Sequence, residues 1–214
     1  MQSAIDNWSN IKAKLIKLYE DLNYKMINKN IFDQNKVYSP LPRSYQWADC
    51  SAFTNHLKLA RKARGVDLPK SYLKNPLIYQ GGSDDFLSPR SPIPILDENW
   101  GVDLEAEIAV ITDYIPIGST IDEIKDKILF VMIANDISLR NLVPEEIDKG
   151  FGFFQSKPST SFSPVAISLD ELEGSWCSGK LHKKISVNVN DIPLGRNLTG
   201  EDMTFNFYEL IAHA

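Results

Sequence analysis

The sequence has few cysteines, no excess of basic residues and no long hydrophobic segment. Its two cysteines, Cys50 and Cys177, lie far apart and outside any CxxC pair, so neither a zinc site nor a redox motif is indicated. Lys and Arg total 23 against 28 Asp and Glu, and the resulting net charge of −5 disfavours binding to a nucleic acid backbone. The longest apolar run, residues 128–134, is far too short to cross a membrane.

A secretory signal has a charged segment followed by an apolar stretch, and the first residues of this chain do not show that pattern. Together with the sparse cysteines, this predicts a protein of the reducing cytoplasm. The composition is 43% hydrophobic and 24% charged, which is typical of a globular protein with a buried core. A length of 214 residues allows one or two domains.

The chain divides into an N-terminal helix and a larger β-rich unit. Apolar residues spaced by three and four positions predict an amphipathic helix from Ile5 to Leu22. A polar linker follows, so we expect units at residues 1–38 and 39–214. In the second unit, short strands outnumber helices, which predicts an α+β fold. We expect helices at 52–64, with caps at 49–51, from residue 121, and at 208–214. Strands are expected at 75–80 and 102–111, and a hairpin around residues 190–191. Residues 128–138 are either a buried strand or the end of the preceding helix running into one.

Two glutamates in the predicted strand 102–111 are the first candidates for chemistry. Glu105 and Glu107 are two positions apart, so a strand places both side chains on one face. Adjacent carboxylates among apolar residues repel each other unless a cation lies between them, and a hard divalent cation suits oxygen ligands best. The alternative is a solvated strand edge with two ordinary surface glutamates.

Three further residues each allow a structural and a functional interpretation. Asp136 ends an apolar run, and its partner is either a metal shared with the glutamates or Arg140 in a simple ion pair. Lys157 stands alone among Phe and Ser, either as a surface side chain or as a fixed charge facing an anion. His56 lies on the apolar side of its predicted helix, as a core histidine or as a general base.

Several sequence segments, taken in their order along the chain, resemble those of a known protein family. The chain carries in sequence PLPRSYQWADCSAFTNH, PLIYQGG, DLEAEIAVI, ANDISLRN, GFGFFQSKPSTSFSPVA and MTFNFYELIAHA. This combination resembles the fumarylacetoacetate hydrolase family over nearly the whole chain, most closely the bacterial fumarylacetoacetases. The resemblance implies a mixed-sheet β-roll of the type found in the C-terminal domain of fumarylacetoacetase.

The resemblance also implies roles for particular residues. It implies one divalent cation, Mg²⁺ or Ca²⁺ with Mn²⁺ also accepted, bound by Asp49, Glu105, Glu107 and Asp136. It makes His56 the base that activates water and Lys157 the lysine that stabilises the developing anion, and it matches Arg140 to the catalytic arginine of the NDxSxR motif. Substrate contacts fall on Tyr79 and on Arg64, whose spacing from His56 is one residue shorter than in the family.

The implied reaction is hydrolysis of fumarylacetoacetate, a β-diketo acid, to fumarate and acetoacetate in tyrosine breakdown. The alternatives are acylpyruvate hydrolysis, oxaloacetate decarboxylation, isomerisation of a keto-diacid, or a metal-binding fragment without activity. Family chains extend beyond both ends of this one, so we expect an incomplete catalytic unit with an exposed apolar face around Phe205, Phe207 and Leu210. The implied partner is a second copy in a homodimer, or a second chain that supplies the C-terminal segment.

Overall fold

Short strands and short helices alternate along residues 1–63 and 65–214, which the computed structural model describes. The helices are α1 (Gln2–Ile5), α2 (Trp8–Asn23), α3 (Thr54–Ala63), α4 (Ile121–Ile124), α5 (Val143–Lys149) and α6 (Phe207–His213). The strands are β1 (Trp47–Ser51), β2 (Leu77–Gly81), β3 (Val102–Asp103), β4 (Ala106–Thr112), β5 (Ile128–Asn135), β6 (Ser138–Leu139), β7 (Ser161–Phe162), β8 (Ile167–Ser168), β9 (Trp176–Cys177), β10 (Lys180–Leu181), β11 (Lys184–Val189) and β12 (Ile192–Leu198). The predicted α+β fold is confirmed.

The central sheet is built on β5. This strand pairs antiparallel with β4 along its length and with the short β7 and β8 on its other side. Most of its apolar residues are buried, on both faces, which explains its near-continuous hydrophobic sequence, although Ile133 is exposed. The named strand pairs are all antiparallel, and parallel pairing within the described residues is limited to an isolated bridge between Leu87 and Ser161.

The predicted strand 102–111 is interrupted before its glutamates. β3 ends at Asp103 and pairs with β6, whereas β4 begins at Ala106 and pairs with β5. Glu105 therefore lies in the connection between two strands, and Glu107 lies inside β4. The prediction of one continuous strand was wrong because each half pairs with a different segment of the chain.

The residues expected to cap helix α3 instead form a strand. Asp49, Cys50 and Ser51 belong to β1, which pairs with β2 so that Asp49 lies opposite Tyr79. Helix α3 begins only at Thr54, whose backbone amide donates to the carbonyl of Asp202. The long-range pairing with β2 outweighed the local preference of Asp and Ser for helix caps.

The N-terminal helix is confirmed but is split into α1 and α2. Ile5 is buried in the main core, and the indole of Trp8 packs edge-on against Phe130 of β5 with ring centroids 5.2 Å apart. Beyond Trp8, no residue of α2 is buried. The helix is thus attached to the sheet through its first turn.

The C-terminal residues pack inward. Asn206 and Glu209 form a reciprocal capping box that starts α6. Leu210 is buried in a cluster with Ala52 and Met203, and the neighbouring Phe205 and Phe207 are half-buried against it. The expected exposed apolar face at these residues was therefore wrong. No helix in the described part of the chain is long and apolar enough to cross a membrane.

Candidate metal centre

Four carboxylates from three separate segments meet at one end of the central sheet. One oxygen from each of four side chains lies within 4.8 Å of the others, and these side chains belong to Asp49, Glu105, Glu107 and Asp136. Asp49 comes from β1, the two glutamates flank the start of β4, and Asp136 follows the end of β5. The β4–β5 register, in which Glu107 lies opposite Ala134, brings the last two segments together.

Asp136 is the innermost of the four acids. Its residue is fully buried, and its backbone amide donates to the carbonyl of Glu105. One carboxylate oxygen accepts from the hydroxyl of Thr160 at 2.7 Å, and the other accepts from the ammonium of Lys157 at 2.7 Å and from the phenol of Tyr79. Because burial of an unpaired charge is costly, these donors explain how an acid is tolerated there.

Glu105 is held by cations. Its carboxylate lies 2.8 Å from a guanidinium nitrogen of Arg140 and 3.1 Å from the ammonium of Lys157, and it accepts from the hydroxyl of Ser138. Burial alone would raise the pKa of Glu105, but Lys157, the Ser138 hydrogen bond and Arg140 together lower it. Glu105 is thus held in its charged form.

Asp49 and Glu107 lack such compensation. Neither carboxylate forms an ion pair with any described cation. Desolvation, followed by the negative charge of Asp136, raises the pKa of Asp49 to about 7. Desolvation and the charges of Asp49 and Asp136 raise the pKa of Glu107 well above its usual value. In the metal-free protein these two carboxyls therefore resist ionisation, because no described cation pairs with them to stabilise their negative charge.

This donor set fits a hard divalent cation. All four candidate ligands offer carboxylate oxygens, which Mg²⁺, Ca²⁺ and Mn²⁺ accept and soft metals do not prefer. A bound cation would also stabilise the ionised forms of Asp49 and Glu107 and so lower the raised pKa values of both carboxyls. The four acids could thus hold a divalent metal, although the donor set does not select one of the three ions.

Lys157 is buried beside the cluster and is not a surface side chain. Its side chain is 8% exposed, and its ammonium contacts both Asp136 and Glu105. The ammonium also lies 5.4 Å from the centre of the Tyr79 ring. Although desolvation alone would lower the pKa of Lys157, the charges of Asp136 and Glu105 raise it, so the lysine is a fixed positive charge.

Tyr79 lies between this lysine and a neighbouring loop. Strand β2 places its phenol on Asp136, and its ring packs edge-on against Phe153 with centroids 5.3 Å apart. Burial and the charge of Asp136 raise the pKa of Tyr79, so the phenol is a permanent donor.

His56 is exposed on helix α3, whose buried residue is Leu57, so the interpretation as a core histidine was wrong. Its imidazole nevertheless interacts electrostatically with Glu105, Arg140 and Lys157. Desolvation lowers the pKa of His56, Arg140 and Lys157 lower it further, and Glu105 opposes them. The ring is therefore neutral at pH 7.

Arg140 does not pair with Asp136, contrary to one interpretation of the sequence. Its guanidinium contacts Asp103 at 2.9 Å and Glu105 at 2.8 Å. Arg140 is thus linked to the carboxylate cluster through its ion pair with Glu105. The remaining predicted site residue, Arg64, lies outside the described residues.

Two polar residues of the site were not identified from the sequence. Thr160 and Ser138 donate hydroxyls to Asp136 and Glu105, and both residues are buried. The available signal was their position, because Ser138 follows Asp136 by two residues and Thr160 lies in the same segment as Lys157. Hydroxyl residues are common in irregular segments, so this signal is weak.

An open groove of about 670 Å³ leads away from Tyr79 and Lys157. One wall is the end of β2 with Gly81 and Gly82, and the other is the segment 151–159 between α5 and β7. The ammonium of Lys157 and the phenol of Tyr79, which both contact Asp136 of the cluster, thus border a space open to a small molecule. This arrangement is suited to metal-assisted chemistry on a polar organic substrate.

The sequence matches the profiles of two domains of one family. Residues 46–214 match the fumarylacetoacetate (FAA) hydrolase C-terminal domain, and residues 1–43 match fumarylacetoacetase N-terminal domain 2. The fold and site thus define a protein with a carboxylate cluster of metal-binding character. The chain belongs to the fumarylacetoacetate hydrolase family.

Several solved structures share the fold at low sequence identity. A fumarylacetoacetate hydrolase family protein from Yersinia pestis CO92 is 18% identical, with a TM-score of 0.65 over 81% of this chain and 75% of that one. A 5-carboxymethyl-2-hydroxymuconate delta-isomerase from Mycobacterium smegmatis is 15% identical, with a TM-score of 0.60 over 82% and 63%. An HpcE protein from the same species is 15% identical, with a TM-score of 0.67 over 99% and 68%.

The chain thus spans between 63% and 75% of the length of these three relatives. At identities below 20%, the likeness establishes the fold and leaves the reaction open. No curated protein matches the sequence.

Proposed function

We propose that this protein is a metal-dependent hydrolase that cleaves a carbon–carbon bond in a β-diketo acid, with residues 39–214 as the catalytic unit. The substrate named by the family resemblance is fumarylacetoacetate, which would place the protein in tyrosine breakdown in the cytoplasm. The observation that supports the proposal is the convergence of four carboxylates around a buried lysine at the mouth of a groove.

In this proposal, Asp49, Glu105, Glu107 and Asp136 hold the metal. A bound divalent cation would supply Lewis acidity to polarise a substrate carbonyl. The side chains of the cluster are kept in place by Ser138 and Thr160, whose hydroxyls donate to Glu105 and Asp136. Fixing the ligands in this way reduces the reorganisation that binding would otherwise require.

His56 is the proposed general base. Its lowered pKa leaves a neutral imidazole nitrogen at pH 7, which is the form that accepts a proton. Water gives a proton to His56, and its oxygen bonds to the substrate carbonyl carbon. The adjacent carbon–carbon bond then breaks, its electron pair leaves as an enolate, and protonation of that enolate completes a carboxylic acid and a ketone.

Lys157 and Arg140 are the proposed stabilisers of the negative charge that develops on oxygen. A fixed positive charge in a buried place needs no rearrangement during the reaction and is more effective there than in water. Tyr79, whose phenol donates to Asp136 and whose ring lines the groove, is a proposed substrate contact. Arg64 stays a proposed substrate contact on the resemblance alone.

The decisive experiment measures loss of fumarylacetoacetate and of a short acylpyruvate by the full-length protein with Mg²⁺, Ca²⁺ or Mn²⁺. We expect turnover that EDTA abolishes and that Glu107→Gln lowers by at least 100-fold, with metal affinity reduced in parallel. Glu20→Gln, on the exposed face of α2, is the matched control and should keep wild-type activity. Metal-independent turnover would contradict the proposal.

A second candidate reaction is isomerisation of a keto-diacid, because one structural relative is named as a muconate isomerase. Both reactions would use the same cluster and differ in whether water is incorporated. Mass spectrometry of products formed in H₂¹⁸O separates them, since only hydrolysis adds ¹⁸O to a new carboxylate. Metal binding without either product would support a binding protein without activity.

A homodimer is the proposed assembly, on the family resemblance. Sedimentation of the purified full-length protein tests it, with a mass near 48 kDa expected for two copies of the 24.2 kDa chain. A monomer that gains activity only with a separate C-terminal polypeptide would favour a two-chain enzyme.

A further inference from the structure

Two phenylalanines stand almost fully in solvent on the wall of the groove. Phe151 is 99% exposed and Phe154 is 89% exposed, and both line the groove that begins at Tyr79 and Lys157. Phe153 between them also lines the groove, where its ring packs edge-on against Tyr79. An exposed phenyl ring is unfavourable in water because its apolar surface is hydrated. Two such rings at one groove therefore indicate a surface that another molecule covers during function.

The segment that carries these rings is held in a defined shape. Glu146 of α5 accepts the backbone amides of Phe154, Gln155 and Ser156 at 3.0, 2.7 and 3.2 Å. Gly150 and Gly152 adopt φ values of 76° and 89°, which other residues rarely adopt. The rings therefore project from a pinned backbone and are not carried by a loose loop.

The charge of the groove excludes a second anionic group. Among the described lining residues, the one cation is Lys157, and its ammonium is already bound to Glu105 and Asp136. The other charged residue of the wall is Asp84, which is an acid. A carboxylate placed in the groove beyond Lys157 would face phenyl rings and the acid Asp84 and would meet no further cation among the described lining residues, which is unfavourable.

We propose that Phe151 and Phe154 are specificity-determining residues that hold an apolar, uncharged acyl tail of the diketo acid in this groove. This inference rests on the proposed hydrolysis of a carbon–carbon bond in a β-diketo acid, and it replaces fumarylacetoacetate as the preferred substrate by a diketo acid with an uncharged tail. Diketo acids with an alkyl or aryl tail are preferred over those that end in a second carboxylate, such as fumarylacetoacetate. The groove joins the cluster at Lys157, so the reacting carbonyl groups and the tail of one substrate molecule occupy adjacent spaces.

The test measures binding and turnover for three 2,4-diketo acids that differ only in the tail. Their tails are methyl, butyl, and a chain of the same length as butyl that ends in carboxylate. Calorimetry with the Mg²⁺-loaded full-length protein should give at least tenfold tighter binding of butyl than of the carboxylate tail, since each buried methylene contributes roughly fourfold. Phe151→Ala with Phe154→Ala should remove about tenfold of the butyl affinity and leave the methyl affinity unchanged.

Two further variants make the test specific. Phe154→Lys places a free cation on the wall and should reverse the preference towards the carboxylate tail. Phe32→Ala removes a phenyl that is 58% exposed and lies outside the groove lining, so it should change none of the affinities.

Equal affinity for the two longer tails in the wild type, or tighter binding of the carboxylate tail, would overturn the inference. An altered sedimentation mass in Phe151→Ala with an unchanged tail preference would also overturn it, because the rings would then belong to a subunit contact. Turnover of the methyl compound without a tail preference refutes this inference alone. A tail preference in binding without turnover of any compound supports the inference and refutes the proposed hydrolysis.

Discussion

The ammonium of Lys157 lies 2.7 Å from a carboxylate oxygen of Asp136. This ion pair joins the segment before β7 to the end of β5, and both side chains are almost completely buried. Lys157 thus has two roles. It neutralises the buried carboxylate of Asp136, and it places a fixed positive charge at the mouth of the groove.

Replacing Lys157 by Met should destabilise the metal-free protein strongly. The substitution leaves Asp136 buried without its cation, and removing one partner of a buried pair costs about 3–5 kcal/mol. Urea unfolding in EDTA measures this loss. Lys149→Met is the matched control, because Lys149 pairs with Glu145 on the surface and should change stability by less than about 1 kcal/mol. Similar losses in both variants would show that burial of the Asp136 pair is not decisive.

The stability of the metal-free protein should depend on pH through Asp49. Its pKa is about 7 in the folded protein against 3.8 for an ordinary aspartate side chain, so the folded state holds the proton more tightly than the unfolded state. The stability that Asp49 contributes is therefore present at low pH and is lost as pH rises from 3.8 to about 7.

Comparison with Asp49→Asn isolates this effect from the titration of other groups. In EDTA, the free energy of unfolding of the wild type should fall relative to that of the variant across this interval. With saturating Mg²⁺ the order should reverse at pH 7.5, because the cation stabilises the ionised carboxylate. A pH-independent difference between the two proteins in EDTA would contradict the proposed raised pKa.

Replacing His56 by Ala should lower kcat by about 10²–10⁴, the usual contribution of a general base, with little change in KM. Steady-state kinetics on the best diketo acid measures both constants. His213→Ala removes an exposed imidazole from the last turn of α6 and should leave both constants unchanged. An unaltered kcat in His56→Ala would remove this residue from the mechanism.

Gly81 should not tolerate a side chain. A Cβ atom at this position would lie 2.2 Å from the ring of Trp47, its partner in the β1–β2 register. Trp47 in turn packs edge-on against Phe86 and Phe162 of the main core. Gly81→Ala should therefore cost about 1–3 kcal/mol in thermal or urea unfolding.

Gly195 in β12 provides the comparison for Gly81. No atom lies within 4 Å of a Cβ built there, so Gly195→Ala should be nearly neutral or slightly stabilising. If both alanine variants are neutral, the contact between Gly81 and Trp47 is not as close as the structure shows.

Local signals in the sequence predicted local structure correctly. Thr120 and Glu123 form the expected capping box at the start of α4. Asn190 and Asp191 both adopt positive φ and join β11 to β12, as expected for a two-residue hairpin turn. In each case the interacting groups lie within a few residues of each other, so the sequence carries the whole interaction.

The failures occurred where the partner is distant in sequence. Asp49 looked like a cap because Ser and Asp precede a helix, but β2 recruits it into a strand. Glu105 looked like a strand residue because of alternation, but β3 and β4 diverge on either side of it. Neither the pairing partner nor the point of divergence is visible in a local pattern.

The residue types available for chemistry can be read from the amino-acid sequence: an alternating glutamate pair, an acid after an apolar strand, an isolated lysine and a histidine near the start of a helix. Together with the order of its motifs, the sequence also identified the family. Only the tertiary structure decided how these groups are paired. The site contains more carboxylates than cations, so distance and burial decide which carboxylate each cation pairs with. Lys157 pairs with Asp136, and Arg140 pairs with Glu105. Asp49 and Glu107 have no paired cation to stabilise their ionised forms, and this is what makes the four carboxyls a candidate metal site.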